Sequence, residues 1–407
     1  MKKQIKYITI KKAIRKKKNP DNFSLSKYSS SPYMACEHAC KYCDGRAERY
    51  YVEGDFEKDI VIRKNIAEIF TNELNSLRDK GIISFGSGIS DPYQPIETQE
   101  RLMQKISQKM TKNRFPALVM TKSALIQRDL QDWKIINKKN GFILFMSIAF
   151  PDEDLRTIFE PNASSLKERF DTLKLFKENG IRTGVLMMPI LPFIGDNVKK
   201  MEKLIRILKD IGVDFIIPGN LTLRPGKQKK LYLKIIQINF PKFISAYKRL
   251  YSENRSSGNT SYQYRKELYP RIGSLLKKYS IPYTPPHSVY KNILPVYDEL
   301  LILIKQMLTL YDEKGINTQR LQNSFKEYKT WLKNRKEYFN RNRKLSANFI
   351  EEELTALIRN GFISEIITNQ KLADFLYKVV IEKKIFDPIK LKLINSEVLN
   401  EKSDFSR

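Results

Sequence analysis

From Ser31 to about Pro225 the sequence alternates short apolar runs with amphipathic stretches, and few folds accommodate that rhythm. Gly81–Phe85, Ala117–Thr121, Phe142–Ile148, Thr183–Pro189 and Val213–Pro218 are apolar over strand length with turn residues near them, the pattern of buried strands. Between them, apolar residues recur at helical spacing in Ile62–Arg78, Gln99–Lys112, Ala124–Lys138, Leu166–Asn179 and Val198–Ile211. Gly81, Gly141, Gly180 and Gly212 each stand where a helix stops before the next strand. Strands and helices in turn imply parallel units. With a first strand just before Cys36, about six such units are expected. The predicted fold class is therefore α/β, a partial (β/α)6 TIM-like barrel over residues 31–226. Chemistry in such barrels belongs to the loops at the carboxyl ends of the strands.

The loop after the first strand holds all three cysteines of the 407-residue chain, Cys36, Cys40 and Cys43, spaced Cys-x3-Cys-x2-Cys. Thiolates hold iron–sulfur clusters, usually four to a cubane. Three can hold three irons of a 4Fe–4S cluster and leave the fourth iron free to take a substrate or cosubstrate, as a catalytic zinc keeps one position open. A structural zinc site needs four closed ligands, and the nearest candidates for a fourth, His38 and Asp44, make no familiar zinc spacing. An odd number of cysteines argues against disulfides. Metal-held thiols suit a reducing, intracellular compartment.

Lys and Arg total 74 against 45 Asp and Glu, a net charge of +29 that favours nucleic acid or another polyanion as partner. Met1–Pro20 carries nine Lys or Arg and no acid, and residues 1–30 are expected to form a basic tail able to touch phosphates. The remaining excess is spread along a chain rich in Lys, Ile and Asn, which is equally the pattern of a solvated surface. No apolar run reaches the length of a membrane span, so a soluble, cytoplasmic protein is expected.

The polar residues behind the other strands form a set. Strand two runs into Gly86-Ser87-Gly88-Ile89-Ser90-Asp91-Pro92-Tyr93-Gln94-Pro95-Ile96-Glu97, and strand three ends in Thr121-Lys122-Ser123. Strand four carries Ser147, followed by Glu160-Pro161-Asn162-Ala163 and Arg169, and strand five ends in Pro189-Ile190-Leu191-Pro192. With Ser31-Pro32-Tyr33 ahead of the cysteine loop, this set resembles the spore photoproduct lyase-like (DNA repair photolyase-like) branch of the radical S-adenosylmethionine (SAM) superfamily. The resemblance covers about half the chain, Ser31 to about Gly226.

The resemblance implies that Cys36, Cys40 and Cys43 hold a 4Fe–4S cluster whose free iron chelates the amino and carboxylate groups of SAM. It implies Tyr42 against the adenine, Ser90, Lys122 and Ser147 on SAM's polar groups, Lys122 at its carboxylate, and Arg169 assisting. One electron, from a reductant such as flavodoxin or ferredoxin, cleaves SAM to methionine and a 5′-deoxyadenosyl radical that abstracts hydrogen from substrate. One departure stands out. The branch's lyases carry an extra cysteine as hydrogen-atom donor just ahead of the Ser-Asp pair, where this chain has Gly88 and no further cysteine. Either a tyrosine substitutes, Tyr93 being nearest, or substrate and reaction differ; the second is expected. The rivals are repair of a pyrimidine lesion with a non-cysteine donor, and a nucleic-acid-binding protein whose cysteine loop holds metal for structure only.

Residues 227–293 read as a helical region that completes the barrel, and residues 294–407 as a helical carboxy-terminal domain. Phe325–Lys344 holds eight Lys or Arg among five aromatics. Phe325, Tyr328 and Trp331 recur every three residues, as on the buried face of a helix with solvated charge around it. His287 reads as a hydrogen-bonded loop residue.

Overall fold

The computed structural model describes residues 4–86 and 88–395. The first residues of the tail, Ser87 of the Gly-rich turn and the last residues of the helical domain lie outside them. The chain forms two compact units, one of Met1–Lys16, Tyr28–Ser76 and Ile83–Thr284, the other of Lys17–Lys27, Leu77–Ile82 and Pro285–Arg407.

Ten strands serve the first unit: β1 (Gln4–Ile8), β2 (Arg15–Lys16), β3 (Ser26–Ser30), β4 (Tyr33–Met34), β5 (Asp59–Arg63), β6 (Ile82–Phe85), β7 (Ala117–Thr121), β8 (Phe142–Ser147), β9 (Arg182–Ile190) and β10 (Phe215–Asn220). Seven form a sheet in the order β10-β9-β8-β7-β6-β3-β2. From β6 to β10 each strand pairs parallel with the next. Every residue of β6 and β8 is buried, which is why both read as unbroken apolar runs. Helices fill the connections: α1 (Ile66–Ser76), α2 (Glu97–Glu100), α3 (Leu102–Met110), α4 (Leu130–Lys139), α5 (Glu153–Phe159), α6 (Leu166–Glu178) and α7 (Val198–Ile211). α6 starts on a reciprocal Ser165–Glu168 capping box, and α7 ends at Gly212, whose φ of 80° is the left-handed stop expected of it. α8 (Lys227–Asn239), α9 (Ile244–Leu250) and α10 (Tyr262–Lys278) follow β10.

Three expectations need correcting. The strand just before Cys36, β4, does not join the main sheet; it pairs antiparallel with β5 in a separate sheet of order β1-β5-β4. The main sheet's first strand beside β6 is β3, five residues that end ahead of Pro32, whose missing N–H suits the break. The basic arm is also not a free tail. Its Gln4–Ile8 alternates polar and apolar residues and pairs parallel with β5, leaving its charges on an exposed edge. The helix expected from Ile62 begins only at Ile66, because Asp59–Arg63 is β5. Five strands, β6 to β10, pair parallel in succession, with β3 beside β6 in an order that has two ends.

The second unit holds α11 (His287–Tyr290), α12 (Val296–Glu313), α13 (Gln319–Arg341), α14 (Phe349–Arg359) and α15 (Gln370–Val380), with an antiparallel hairpin of β11 (Ile385–Asp387) and β12 (Lys392–Ile394). Buried within it is a knot of charge. Lys27 Nζ pairs with Asp79 and, at 3.2 Å, with Asp298, which Lys336 Nζ meets at 2.8 Å. Tyr297 donates its hydroxyl to Asp79 at 2.9 Å. On α13, Tyr328 and Phe339 are buried, Phe325 and Trp331 half-buried, and Tyr338 exposed, so only part of the expected aromatic stripe is core. His287 is wholly buried: Nδ1 accepts from Phe386 N at 3.0 Å, leaving Nε2 to donate to Glu299 at 2.8 Å.

Candidate active site

The cysteine loop runs from Ala35 to Cys43, between β4 and a 3-10 turn at Asp44–Arg46. Ala35 and Ala39 take left-handed backbone angles (φ 64° and 57°), so the loop is tightly folded on itself, and its polar groups look outward for partners. Side chains from distant elements supply them. Gln94 Nε2 donates to Ala35 O at 3.2 Å while its Oε1 accepts from Glu37 N at 2.8 Å. Asn162 Nδ2 donates to Glu37 O at 2.8 Å, Arg46 Nε to Cys40 O at 2.8 Å, and Gln228 Nε2 to Tyr42 O at 3.0 Å. Gln94 and Gln228 are fully buried. The loop therefore comes pre-shaped, which is what a metal site needs before the metal arrives. Gly45 permits the closest approach: a Cβ there would lie 2.8 Å from Gly88 O and 2.9 Å from Ile89 Cα.

The three thiols are free, Cys36 and Cys40 buried and Cys43 half-exposed with its Sγ 3.6 Å from Gly88 O. Burial pushes each thiol up, Cys40 to about 12, so unliganded they stay protonated, and a metal that takes them as thiolates must displace their protons. Among the described residues no three His, Cys, Asp or Glu side chains converge on one point that a single ion could fill. Cluster ligands bind different irons and need no such convergence, so the donor set fits a 4Fe–4S cluster.

Behind the loop stands a buried ion pair. Tyr42 donates its hydroxyl to Glu160, and Glu160 Oε2 lies 2.6 Å from Arg169 Nη2, both side chains wholly buried. That contact is close but off the hydrogen-bond axis, and neither atom has another partner. Arg169 is anchored by Nη1 on Ser147 O (3.0 Å) and Nε on Ser164 O (2.8 Å). Burial would raise the Glu160 carboxyl, but Arg169 and then Lys122 hold it below the usual range.

Lys122, half-buried, differs from the buried charges around it. Its backbone N–H is fixed by Asp91 Oδ2 at 2.8 Å, and Asp91 Oδ1 also takes Thr121 Oγ1 (2.7 Å) and Tyr93 N (2.9 Å). The ammonium lies 6.0 Å from the centre of the Tyr42 ring and makes no hydrogen bond or ion pair with the described residues. Desolvation works against its charge, yet the carboxylates of Glu160 and Asp91 hold its pKa above the usual lysine value, and a Cys40 thiolate would add to that.

The other candidate residues fall into two groups. Ser90 is buried and accepts from Gln94 at 3.2 Å, beside the cysteine loop, and Ser147 ends β8 above Arg169. Tyr93 is placed elsewhere. Its fully buried hydroxyl donates to Asp129 at 2.9 Å and accepts from Trp133 at 3.0 Å, so the phenol is committed to packing α4 and is not carried forward as a hydrogen donor. Arg169, expected at SAM, faces Glu160 and two carbonyls instead. Gln228 went unnoticed because a glutamine in a helix's first turn reads as surface, and nothing in the sequence links it to Tyr42. Asp91, Gln94 and Asn162 lay inside quoted motifs without roles.

The model of the Radical SAM superfamily matches residues 30–208. An uncharacterized protein of Methanocaldococcus jannaschii is 30% identical over 235 residues, 58% of this chain and 85% of the relative. An uncharacterized protein of Mycobacterium tuberculosis is 25% identical over 261 residues, 63% of this chain and 75% of the relative. Among solved structures, spore photoproduct lyase complexed with dinucleoside spore photoproduct is a likeness at 14% identity and TM-score 0.46, over 68% of this chain and 79% of that one. With its three-thiol loop at the head of a parallel sheet, the chain belongs to the radical SAM superfamily, and its cofactors are a 4Fe–4S cluster and SAM.

Proposed function

We propose that this enzyme belongs to the spore photoproduct lyase-like branch, cleaves SAM reductively, and turns the radical on a substrate whose reaction needs no thiol from the protein. When bound, the cluster and SAM supply the electron and the radical; the chain supplies position and shielding. In this reading Cys36, Cys40 and Cys43 hold the cluster. Lys122 takes SAM's carboxylate, the Tyr42 ring supports the adenine, and Ser90 and Ser147 meet SAM's remaining polar groups. Arg169 and Glu160 position Tyr42 without touching SAM.

The observation that carries the reading is the unpartnered Lys122 ammonium beside a buried thiol loop whose backbone is tied from four directions. A half-buried ammonium that donates to none of the described residues keeps hydrogen-bonding capacity that a ligand carboxylate can take up. Gly88 supports the departure from a thiol-dependent reaction: it offers no side chain at the position that carries the branch's donor cysteine. Anaerobic reconstitution tests the reading. Brown protein that forms 5′-deoxyadenosine from SAM and dithionite, and a Lys122→Met variant that does so only at raised SAM concentration, are expected. Zinc in place of iron, or a variant with unaltered SAM dependence, would overturn it.

A further inference from the structure

We infer that the first turn of α8, with Arg49 and Tyr51 beside it, is the face on which an acidic one-electron carrier docks to reduce the cluster. The inference rests on the reading that the three cysteines hold that cluster. α8 begins with no acid in its first turn, Gly226 gives it no side-chain cap, and Lys227, Lys229 and Lys230 crowd the end where the helix dipole is already positive. Lys229 is committed, donating to Tyr251 O at 2.6 Å and Asn254 Oδ1 at 2.8 Å. Lys227 and Lys230, with Lys234 a turn further along the same face, are exposed, and no ammonium of the three pairs with an acid among the described residues. One carboxylate, Glu48, meets this helix start through the Lys227 N–H, and three exposed ammonium groups beside a single acid leave an excess of positive charge that fits an external anionic partner.

The face is also next to the cluster loop. Gln228, in the same turn, holds the carbonyl of Tyr42, the residue before Cys43, and Lys227 N donates to Glu48 Oε1 at 2.9 Å. Glu48 leads into Arg49, which is exposed, and Tyr51, which is 86% exposed in a left-handed conformation (φ 51°). A bare tyrosine three residues along the chain from Glu48, which meets the lysine-rich helix start, has the make-up of an interface anchor beside a charged rim. A nucleic acid could also be drawn to such charge. Proximity to the cluster loop favours a protein that must deliver an electron: the carrier loses one electron and the bound cluster gains it.

The test compares two reductants on the reconstituted full chain, followed by cluster bleaching and EPR. Reduced flavodoxin must dock, while dithionite need not. Lys227→Gln/Lys230→Gln should fold as the parent does, since it removes two exposed charges and places none beside Glu48. Its reduction by flavodoxin should slow about tenfold at low salt and converge on the parent at high salt, with the dithionite rate within about twofold. An unchanged flavodoxin rate, or equal slowing by both reductants, overturns the docking face. So does a variant that loses affinity for a 20-nucleotide DNA strand while its flavodoxin rate stays the same. A parent that dithionite cannot reduce would instead remove the cluster assignment beneath it.

Discussion

Two lysines, one buried and one half-buried, show how differently the molecule uses charge. Lys27, in the helical unit, is enclosed by Asp79 and Asp298, and Lys336 and Tyr297 complete the set. Lys122, in the sheet unit, has a fixed backbone and a free ammonium. Both keep raised pKa values although desolvation opposes their charge, Lys27 through Asp298 and Asp79, Lys122 through Glu160 and Asp91. On the function proposed above, the closed set serves the fold and the open one a ligand. Removing one member of the closed set leaves others uncompensated, whereas removing the open one leaves the fold as it was and weakens the ligand.

The largest expected effect lies at the loop itself. Cys40→Ala should reduce iron after reconstitution from about four per chain to near none, with no 5′-deoxyadenosine formed, measured by metal analysis and product assay. Next comes the lysine pair. Lys27→Met should destabilise the protein by roughly 3–5 kcal/mol in urea unfolding, because Asp79 and Asp298 are left with too few cations. Lys122→Met should leave the urea midpoint unchanged or slightly raised and weaken SAM binding about tenfold or more, as loss of a charge-assisted bond worth roughly 1.5–3 kcal/mol requires. If the two variants behave alike in either assay, the distinction between closed and open charge fails. The smallest effect is one of pH. Burial holds His287 below the usual imidazole range, its bond to Glu299 notwithstanding. The unfolded chain then binds more protons, so the stability it contributes is full above about pH 6.5 and is lost as pH falls through its folded value. His287→Gln should flatten that part of the stability profile; an unchanged slope would show that the ring titrates alike in the folded and unfolded chain, and a steeper one that Glu299 keeps it charged.

What the sequence disclosed follows the range of the forces involved. Buried parallel strands announce themselves because each is apolar over its own length, and Ala117–Thr121 coincides with β7. The thiol loop is equally local. The arm failed to read as strand because β1 gains its hydrogen bonds from β5, some fifty residues away, and its lysines masked a short alternation. Tyr93 was nominated by nearness in sequence, but Asp129 and Trp133 fix its hydroxyl, and neither lies in its motif. Gln228 illustrates the same limit: its contact with Tyr42 spans 186 positions.

Gly88 carries a consequence beyond this chain's own reaction. Its carbonyl oxygen lies 3.6 Å from the third thiol, on a turn that Gly45 keeps close, and a Cβ added at Gly88 would meet nothing within 4 Å beyond its chain neighbours. A glycine-to-cysteine exchange there changes one codon and finds room for its first atom. Chemistries that differ in who returns the hydrogen could therefore diverge from one another without the scaffold recording the change.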